Sequence, residues 1–296
     1  MTSTTDQSST RFRIGDLDIF VRSDVHELID DFAALYPGST RAEPAHGRTI
    51  RMDVRKVGRR RLRRRRYDIY GDGEMIHADI PVAELLPYLE WGITWRFVIG
   101  CTEYVQVHAA SMARDGCGLV LAGDSGAGKS TLAAALLARG WDYLCDEFAL
   151  INPETLELHP YPKALCIKAG SFEAVSRLGL RLSRDRHYVK SIKGKVGYIS
   201  LSETDTRIAS PCPVRLVLFP TYTEAGSPRL RPMTRAEAAF NLAGHTLNRD
   251  VFGHRVVTVL GQVTRNARCF RLESGRLDET CDLIESVFDE TNGDTP

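Results

Sequence analysis

No stretch of the 296-residue chain carries the roughly 18 consecutive apolar residues that a membrane-spanning helix needs. Residues Met1 to Thr10 are rich in serine and threonine and lack the apolar core of a secretory signal. A cytoplasmic location and no membrane partner are therefore expected. None of the seven cysteines stands in a Cys-x-x-Cys pair and their number is odd, which argues against a disulfide framework and against a zinc site built from paired ligands. They are expected as reduced thiols, mostly buried in or beside strands. Neither sign of charge prevails: 39 Lys and Arg face 38 Asp and Glu, and the balance names no partner by itself. No internal repeat is evident.

What is present is an ordinary globular composition, 43% hydrophobic and 26% charged. The length admits one large α/β domain, or a small domain ahead of a catalytic domain of about 150 to 200 residues. Alternation predicts a strand over Phe12–Arg22. Val25, Leu28, Ile29, Phe32 and Leu35 predict a helix capped by Asp24. Two or three strands are expected between Arg48 and His77, with Gly71-Asp72-Gly73 as a hairpin turn. A helix follows from Pro81 to about Gly100.

Beyond residue 100 the pattern changes. Strands are predicted at Tyr104–Ala113, Gly118–Ala122 and Tyr143–Ile151, with a helix at Lys129–Arg139 ended by Gly140. Further strands are expected at Ala164–Lys168, Val196–Leu201 and Val214–Pro220, and helices at Arg235–Leu247 and Leu277–Phe288. The charged segment Arg184–Gly197 reads as a loop, and Ser202–Pro213 as a mobile linker. The expected organisation is a disordered tail (1–10), a small α+β N-terminal region (11–100), an α/β catalytic domain (101–288) and a second disordered tail (289–296).

Gly123-Asp124-Ser125-Gly126-Ala127-Gly128-Lys129-Ser130 satisfies the pattern G-x-x-x-x-G-K-[ST] in full, between a predicted strand and a predicted helix. Glycines suit such a loop because its backbone must wrap a phosphate with N–H groups turned inward, where a Cβ would obstruct. Lys129 is expected to reach the β and γ oxygens of ATP, Ser130 to ligate Mg²⁺, and Thr131 to complete the cradle. The following helix turns the positive end of its dipole to the same phosphates.

The second constellation, Asp146-Glu147, interrupts an apolar strand seventeen residues after Lys129. One helix and one strand fit in that interval, so the pair can return to the phosphate end. One carboxylate would hold Mg²⁺ and the other accept the proton of an attacking hydroxyl. Asp146 is the first choice for the base, Glu147 for the metal, and either assignment is open.

The stretch Val107–Ile151, VHAASMARDGCGLVLAGDSGAGKSTLAAALLARGWDYLCDEFALI, resembles the catalytic core of the HPr serine kinase/phosphorylase family, especially its smaller HprK-related relatives. The resemblance rests on a histidine-bearing strand (His108), the G-D-S-G-x-G-K-S loop, a helix ending in Arg139-Gly140 and the closely following acidic pair, in that order. It implies a P-loop-containing, phosphoenolpyruvate-carboxykinase-like mixed sheet with flanking helices. It also implies ATP- and Mg²⁺-dependent phosphorylation of a serine hydroxyl and a homo-oligomer. Two departures matter. Glu147 stands where the family usually has Asp, and the Arg-Gly-x-Gly segment of the bifunctional enzymes is replaced around Pro162–Lys168. Phosphorylase activity and HPr as substrate are therefore not expected, and a serine of a peptide or protein, such as a ribosomally made precursor, is the implied acceptor.

His108 is expected beside the acidic pair as an orienting group. Lys163, Lys168, Lys193, Lys195, Arg184 and Arg186 are candidates to neutralise phosphoryl charge, with Lys193-Gly194-Lys195 suited to a loop that closes over phosphates. Arg59 to Arg66 holds seven arginines in eight positions, a footprint for an acidic partner or equally a solvated face. The same site would serve a small-molecule hydroxyl, such as free serine or a sugar, or an ATP-dependent switch without efficient transfer.

Overall fold

The computed structural model describes residues 8–14, 17–36, 38, 48–57, 65–190, 194–224 and 226–293. The chain is a mixed α/β protein in two compact units, the first made of residues 1–101, 166–172 and 181–204, the second of 102–165, 173–180 and 205–296. A break at residue 101 thus coincides with the change of pattern in the sequence. Two later segments, which a linear division assigns to the C-terminal domain, cluster with the N-terminal one. Among the described residues no helix is long and apolar enough to cross a membrane.

The predicted strand at Phe12–Arg22 is a hairpin of two strands, β1 (Ser8–Ile14) and β2 (Leu17–Ser23). Residues 8–10 are therefore strand rather than tail. Helix α1 (His26–Leu35) buries Leu28, Ile29, Phe32 and Leu35. Its N-cap is Val25, and the carboxylate of Asp24 instead accepts the N–H of Lys56. Strands β3 (Arg48–Lys56), β4 (Arg66–Gly71) and β5 (Glu74–Pro81) complete the order β1-β2-β3-β4-β5. Asp72 and Gly73 both have positive φ, 50° and 88°, as a two-residue turn matched to strand twist requires. Helix α2 (Leu85–Gly100) closes this part. Most of the arginine run, residues 59–64, lies outside the described residues.

The second unit is built on one large sheet. Strand β6 (Val105–Arg114) runs antiparallel to β7 (Cys117–Ala122), which leads through the glycine loop into α3 (Lys129–Ala138). Next come β8 (Asp142–Cys145), β9 (Phe148–Ile151) and β10 (Glu157–His159). The chain then gives β11 (Leu165–Lys168), helix α4 (Phe172–Arg177), β12 (Tyr188–Lys190) and β13 (Gly194–Ile199). Strands β11, β13 and β12 form a separate three-stranded sheet. The chain returns to the large sheet with β14 (Cys212–Tyr222), β15 (Arg229–Pro232), α5 (Arg235–Gly244), α6 (Arg249–Phe252), α7 (Arg255–Arg265), β16 (Arg268–Ser274) and α8 (Leu277–Gly293). The order is β10-β9-β6-β7-β14-β16-β15, with β8 also paired to β6. β7, β14 and β16 are parallel.

Alternation along the strands divides the core between two faces. Val105, Val107 and Ala109 of β6 and Val120 and Ala122 of β7 pack with Ala238 and Leu242 of α5 and Val256, Val259, Leu260 and Val263 of α7. Ala110, Met112, Leu119 and Leu121, one residue out of phase and fully buried, serve the other face, where α3 and α8 pack on each other, α3 against β6 and α8 against β14.

Three sequence expectations are overturned here. Within Arg184–Gly197, read as a loop, the strands β12 and β13 pair at Tyr188↔Val196 and Lys190↔Gly194. Its charges are used internally: Arg184 and Arg186 each reach Asp31 at 2.9 Å, and Lys190 reaches the buried Glu90 at 3.0 Å. The supposed linker Ser202–Pro213 is held along β8, where Tyr143 donates its N–H to Arg207 O and accepts from Ala209 N. Residues 289–293 of the supposed tail are the last part of α8, with Asp289 accepting from Arg114 at 2.8 Å, and residues 294–296 lie outside the described residues.

All seven cysteines are free, and only Cys117 and Cys166 are more than slightly exposed. Burial pushes Cys145, Cys212 and Cys281 up to about 12 and Cys269 to about 11, from an ordinary 9.0. A raised acid keeps its proton in the folded chain while the unfolded chain ionises, so this stability is whole below about pH 8.5 and is lost as pH rises toward 11 to 12. Iodoacetamide at pH 8 is expected to modify Cys117 and Cys166 and to spare these four, as peptide mass mapping would show.

Candidate functional site

The loop after β7 has the backbone that its sequence demands. Gly126 and Gly128 have φ of 98° and 93°, a region where a side chain costs about 1 to 2 kcal/mol. Gly128 is the left-handed N-cap of α3, so the first N–H groups of the helix open onto the loop. Asp124, Ser125 and Gly126 are exposed, Ser130 and Thr131 half-buried, and Lys129 buried. Ala127 donates its N–H to Asp124 O at 3.2 Å. The Lys129 ammonium donates to the carbonyls of Gly123 (2.5 Å) and Asp124 (3.0 Å). These bonds span the loop's own mouth, and phosphate oxygens would compete for the same donor.

Sheet register brings the acidic pair to this end. β8 and β9 share one edge of β6, with Ser111↔Cys145 and His108↔Phe148. Continuing that register through the gap sets Asp146 level with Ala110 and Glu147 level with Ala109. On the other edge of β6, Ala109 pairs with Ala122 and Ala110 with Leu121. The backbone of the acidic turn is thus level with the last two residues before Gly123, two strand spacings from β7, about 10 Å.

The pair is held by its neighbours. The Asp146 and Lys163 side chains are each only 1% exposed, with Lys163 Nζ 3.4 Å from Asp146 Oδ1 and 3.9 Å from Glu147 Oε2. Tyr143 Oη donates to Asp146 Oδ1 at 3.4 Å, and burial, with Asp146 close by, drives the Tyr143 phenol well above its ordinary value. Cys145 Sγ accepts the N–H groups of Glu147 and Phe148, both at 3.3 Å. Ser111 Oγ donates to Phe148 O at 2.9 Å. The backbone of the acidic turn is therefore fixed from below. Glu147 differs from its neighbour: its side chain is 25% exposed and its Oε1 lies 3.6 Å from His108 Nδ1.

Of the residues singled out in the sequence, Lys163 touches both Asp146 and Glu147, and Glu147 touches His108, while Gly123 to Thr131 follow β7 at the same end of the sheet. Lys168 ends β11 and Lys195 stands in β13 of the first unit, while Lys193 lies outside the described residues. One neighbour gave no sequence signal. His245, just after α5, accepts the N–H of His108 with its carbonyl at 2.8 Å, although 137 residues separate the two.

No set of three His, Cys, Asp or Glu side chains among the described residues is arranged to hold a metal unaided. The oxygen donors present, the Ser130 hydroxyl and the carboxylates of Asp146 and Glu147, fit Mg²⁺, which binds through one or two carboxylates plus substrate phosphates and keeps several waters.

Residues 98–177, from the end of α2 through α4, match a family model described as SynChlorMet cassette protein ScmC. No curated protein matches the chain.

Proposed function

We propose that the second unit is an ATP-dependent kinase domain of the phosphoenolpyruvate-carboxykinase/HPr-kinase-like type, which moves the γ-phosphoryl group of ATP to a serine hydroxyl of a peptide or protein. The observation that supports this reading most is the sheet register, which continued through the acidic turn sets the backbone of Asp146 and Glu147 level with the last residues before the phosphate loop. A cradle alone serves any nucleotide-dependent protein. A cradle with an oriented carboxylate carried two strand spacings from it, about 10 Å between backbones, would leave room for a phosphoryl group and an attacking oxygen.

In this reading Lys129 leaves the loop carbonyls for the β and γ oxygens, and the N–H groups at the start of α3 hold the phosphates. Asp146, oriented by Lys163 and Tyr143, accepts the hydroxyl proton as the oxygen bonds to γ-phosphorus and the bond to the β,γ-bridging oxygen breaks, releasing ADP. Lys163 supplies positive charge between the carboxylates. Glu147, which reaches solvent, would share the metal with Ser130. Mg²⁺ supplies neutralisation of charge on the β and γ oxygens.

The acceptor is tested directly. Incubating the full chain with Mg·ATP, peptides encoded beside its gene and free metabolites should yield one product heavier by a phosphate, with ADP formed in equal amount. A phosphorylated metabolite would move the assignment to a small-molecule kinase. ATP binding without any phosphorylated product across that panel would count against a kinase and favour an ATP-dependent switch.

A further inference from the structure

The edge of β6 that pairs with β7 from Arg114 to Ala109 does not end where the glycine loop departs. It is taken over by the segment after α5: Val107 bridges Thr246, His108 N–H donates to His245 O, and Leu247 N–H donates to Gln106 O, both at 2.8 Å. Asn248 locks this strap, accepting from Gln106 N at 3.0 Å and donating to Tyr104 O at 2.8 Å. His245 therefore occupies the position in line with Ala122, at the point where Gly123 turns away. As the residue opposite His108 it also stands on the same face, with Cβ atoms about 5 Å apart, and His108 touches Glu147.

The His245 ring is half-buried. It lies within electrostatic reach of Asp124 and Lys129. Among the described residues the ring makes no hydrogen bond, although its main chain is tied down. The two charges that act on it, Asp124 and Lys129, both belong to the phosphate loop, and the main chain that carries it is paired with His108, the neighbour of Glu147. Burial lowers its pKa from the ordinary histidine value, with Lys129 acting in the same direction and Asp124 against it, so at neutral pH it offers one N–H donor.

We propose that His245 is a γ-phosphate contact, donating its ring N–H to the terminal phosphoryl group and so distinguishing ATP from ADP. This rests on the nucleotide-binding reading of the loop. The strap holds the main chain of His245 outside the loop and opposite His108, on the side of the acidic pair, so its ring would serve the terminal phosphoryl group, whereas Lys129 and the α3 N–H groups serve the rest.

The test is calorimetric binding of a non-hydrolysable Mg·ATP analogue and of Mg·ADP to the wild-type chain, H245A and H245Q. The expected result is about ten-fold weaker analogue binding in H245A, the value of one hydrogen bond to a charged group. Mg·ADP affinity should not change, and H245Q, which keeps an N–H donor, should recover most of the loss. Equal weakening of both nucleotides in H245A would make the residue structural and overturn the proposal, as would an unchanged ratio of the two affinities. A wild-type chain that binds neither nucleotide overturns the loop reading itself, a different result from one in which the wild type binds and H245A behaves the same.

Discussion

Asp146→Asn is expected to leave Mg·ATP binding within a few-fold of wild type while phosphoryl transfer falls by about 10³-fold, the scale of removing a positioned base. The substitution keeps the shape of the side chain and removes its charge. Tyr143 and Lys163 hold the carboxylate in a fixed orientation and its side chain is 1% exposed, and because the variant leaves Lys163 without its charge partner its folding is measured beside its rate. The amide can still accept from both donors. Glu147→Gln should behave differently: its carboxylate reaches solvent, where a hydrated Mg²⁺ can sit, so the variant should require more Mg²⁺ for half-maximal rate. Steady-state rates across Mg²⁺ concentrations separate the two. Transfer at wild-type rate in Asp146→Asn would remove that residue from the base's role.

Lys163→Met should cost about 3 to 5 kcal/mol of stability, the range for removing one member of a buried ion pair. The cost arises because Asp146 remains, with its side chain as buried as that of Lys163, and Glu147, at 3.9 Å from Nζ, loses part of its screening. The double variant Asp146→Asn/Lys163→Met should recover much of the loss, since no uncompensated charge is then left inside. Urea unfolding of the four chains in the cycle reads the coupling. Additive single effects would show that the pair does not act as a unit. The pair resembles an arrangement kept for orientation, since an apolar pair of similar volume would serve stability as well.

Much of this site was legible in the sequence, for a physical reason. The glycine loop is a local pattern, and its strand and helix are written beside it. The acidic pair is also local, because one α3 and one β8 fill the interval and leave little freedom in where the chain returns. Lys163 was visible only as one of several cations, since its contact with Asp146 depends on how β9 and β10 turn back. His245 could not be seen at all: its place is set by main-chain pairing of a strap to β6, and such pairing carries no residue preference at the position that matters.

Misreadings elsewhere have the same origin. The charges of Arg184–Gly197 looked like those of a solvent loop, yet Asp31 and Glu90, more than 90 residues earlier in the chain, neutralise several of them. The polar stretch Ser202–Pro213 looked mobile because its anchoring bonds to Tyr143 are made by the backbone. Helix α7 was missed although Val256, Val259, Leu260 and Val263 have helical spacing, since its β-branched content resembles that of a strand.

The most direct measurement of the central claim is equilibrium binding of Mg·ATP to the full chain beside Lys129→Ala. The wild-type chain should bind with a Kd at or below the millimolar range, and the variant at least about 100-fold more weakly, because it loses the ammonium that bridges the β and γ oxygens. Wild-type affinity retained in the variant, or no binding by the wild-type chain, would contradict the assignment of Gly123 to Thr131 as a nucleotide cradle.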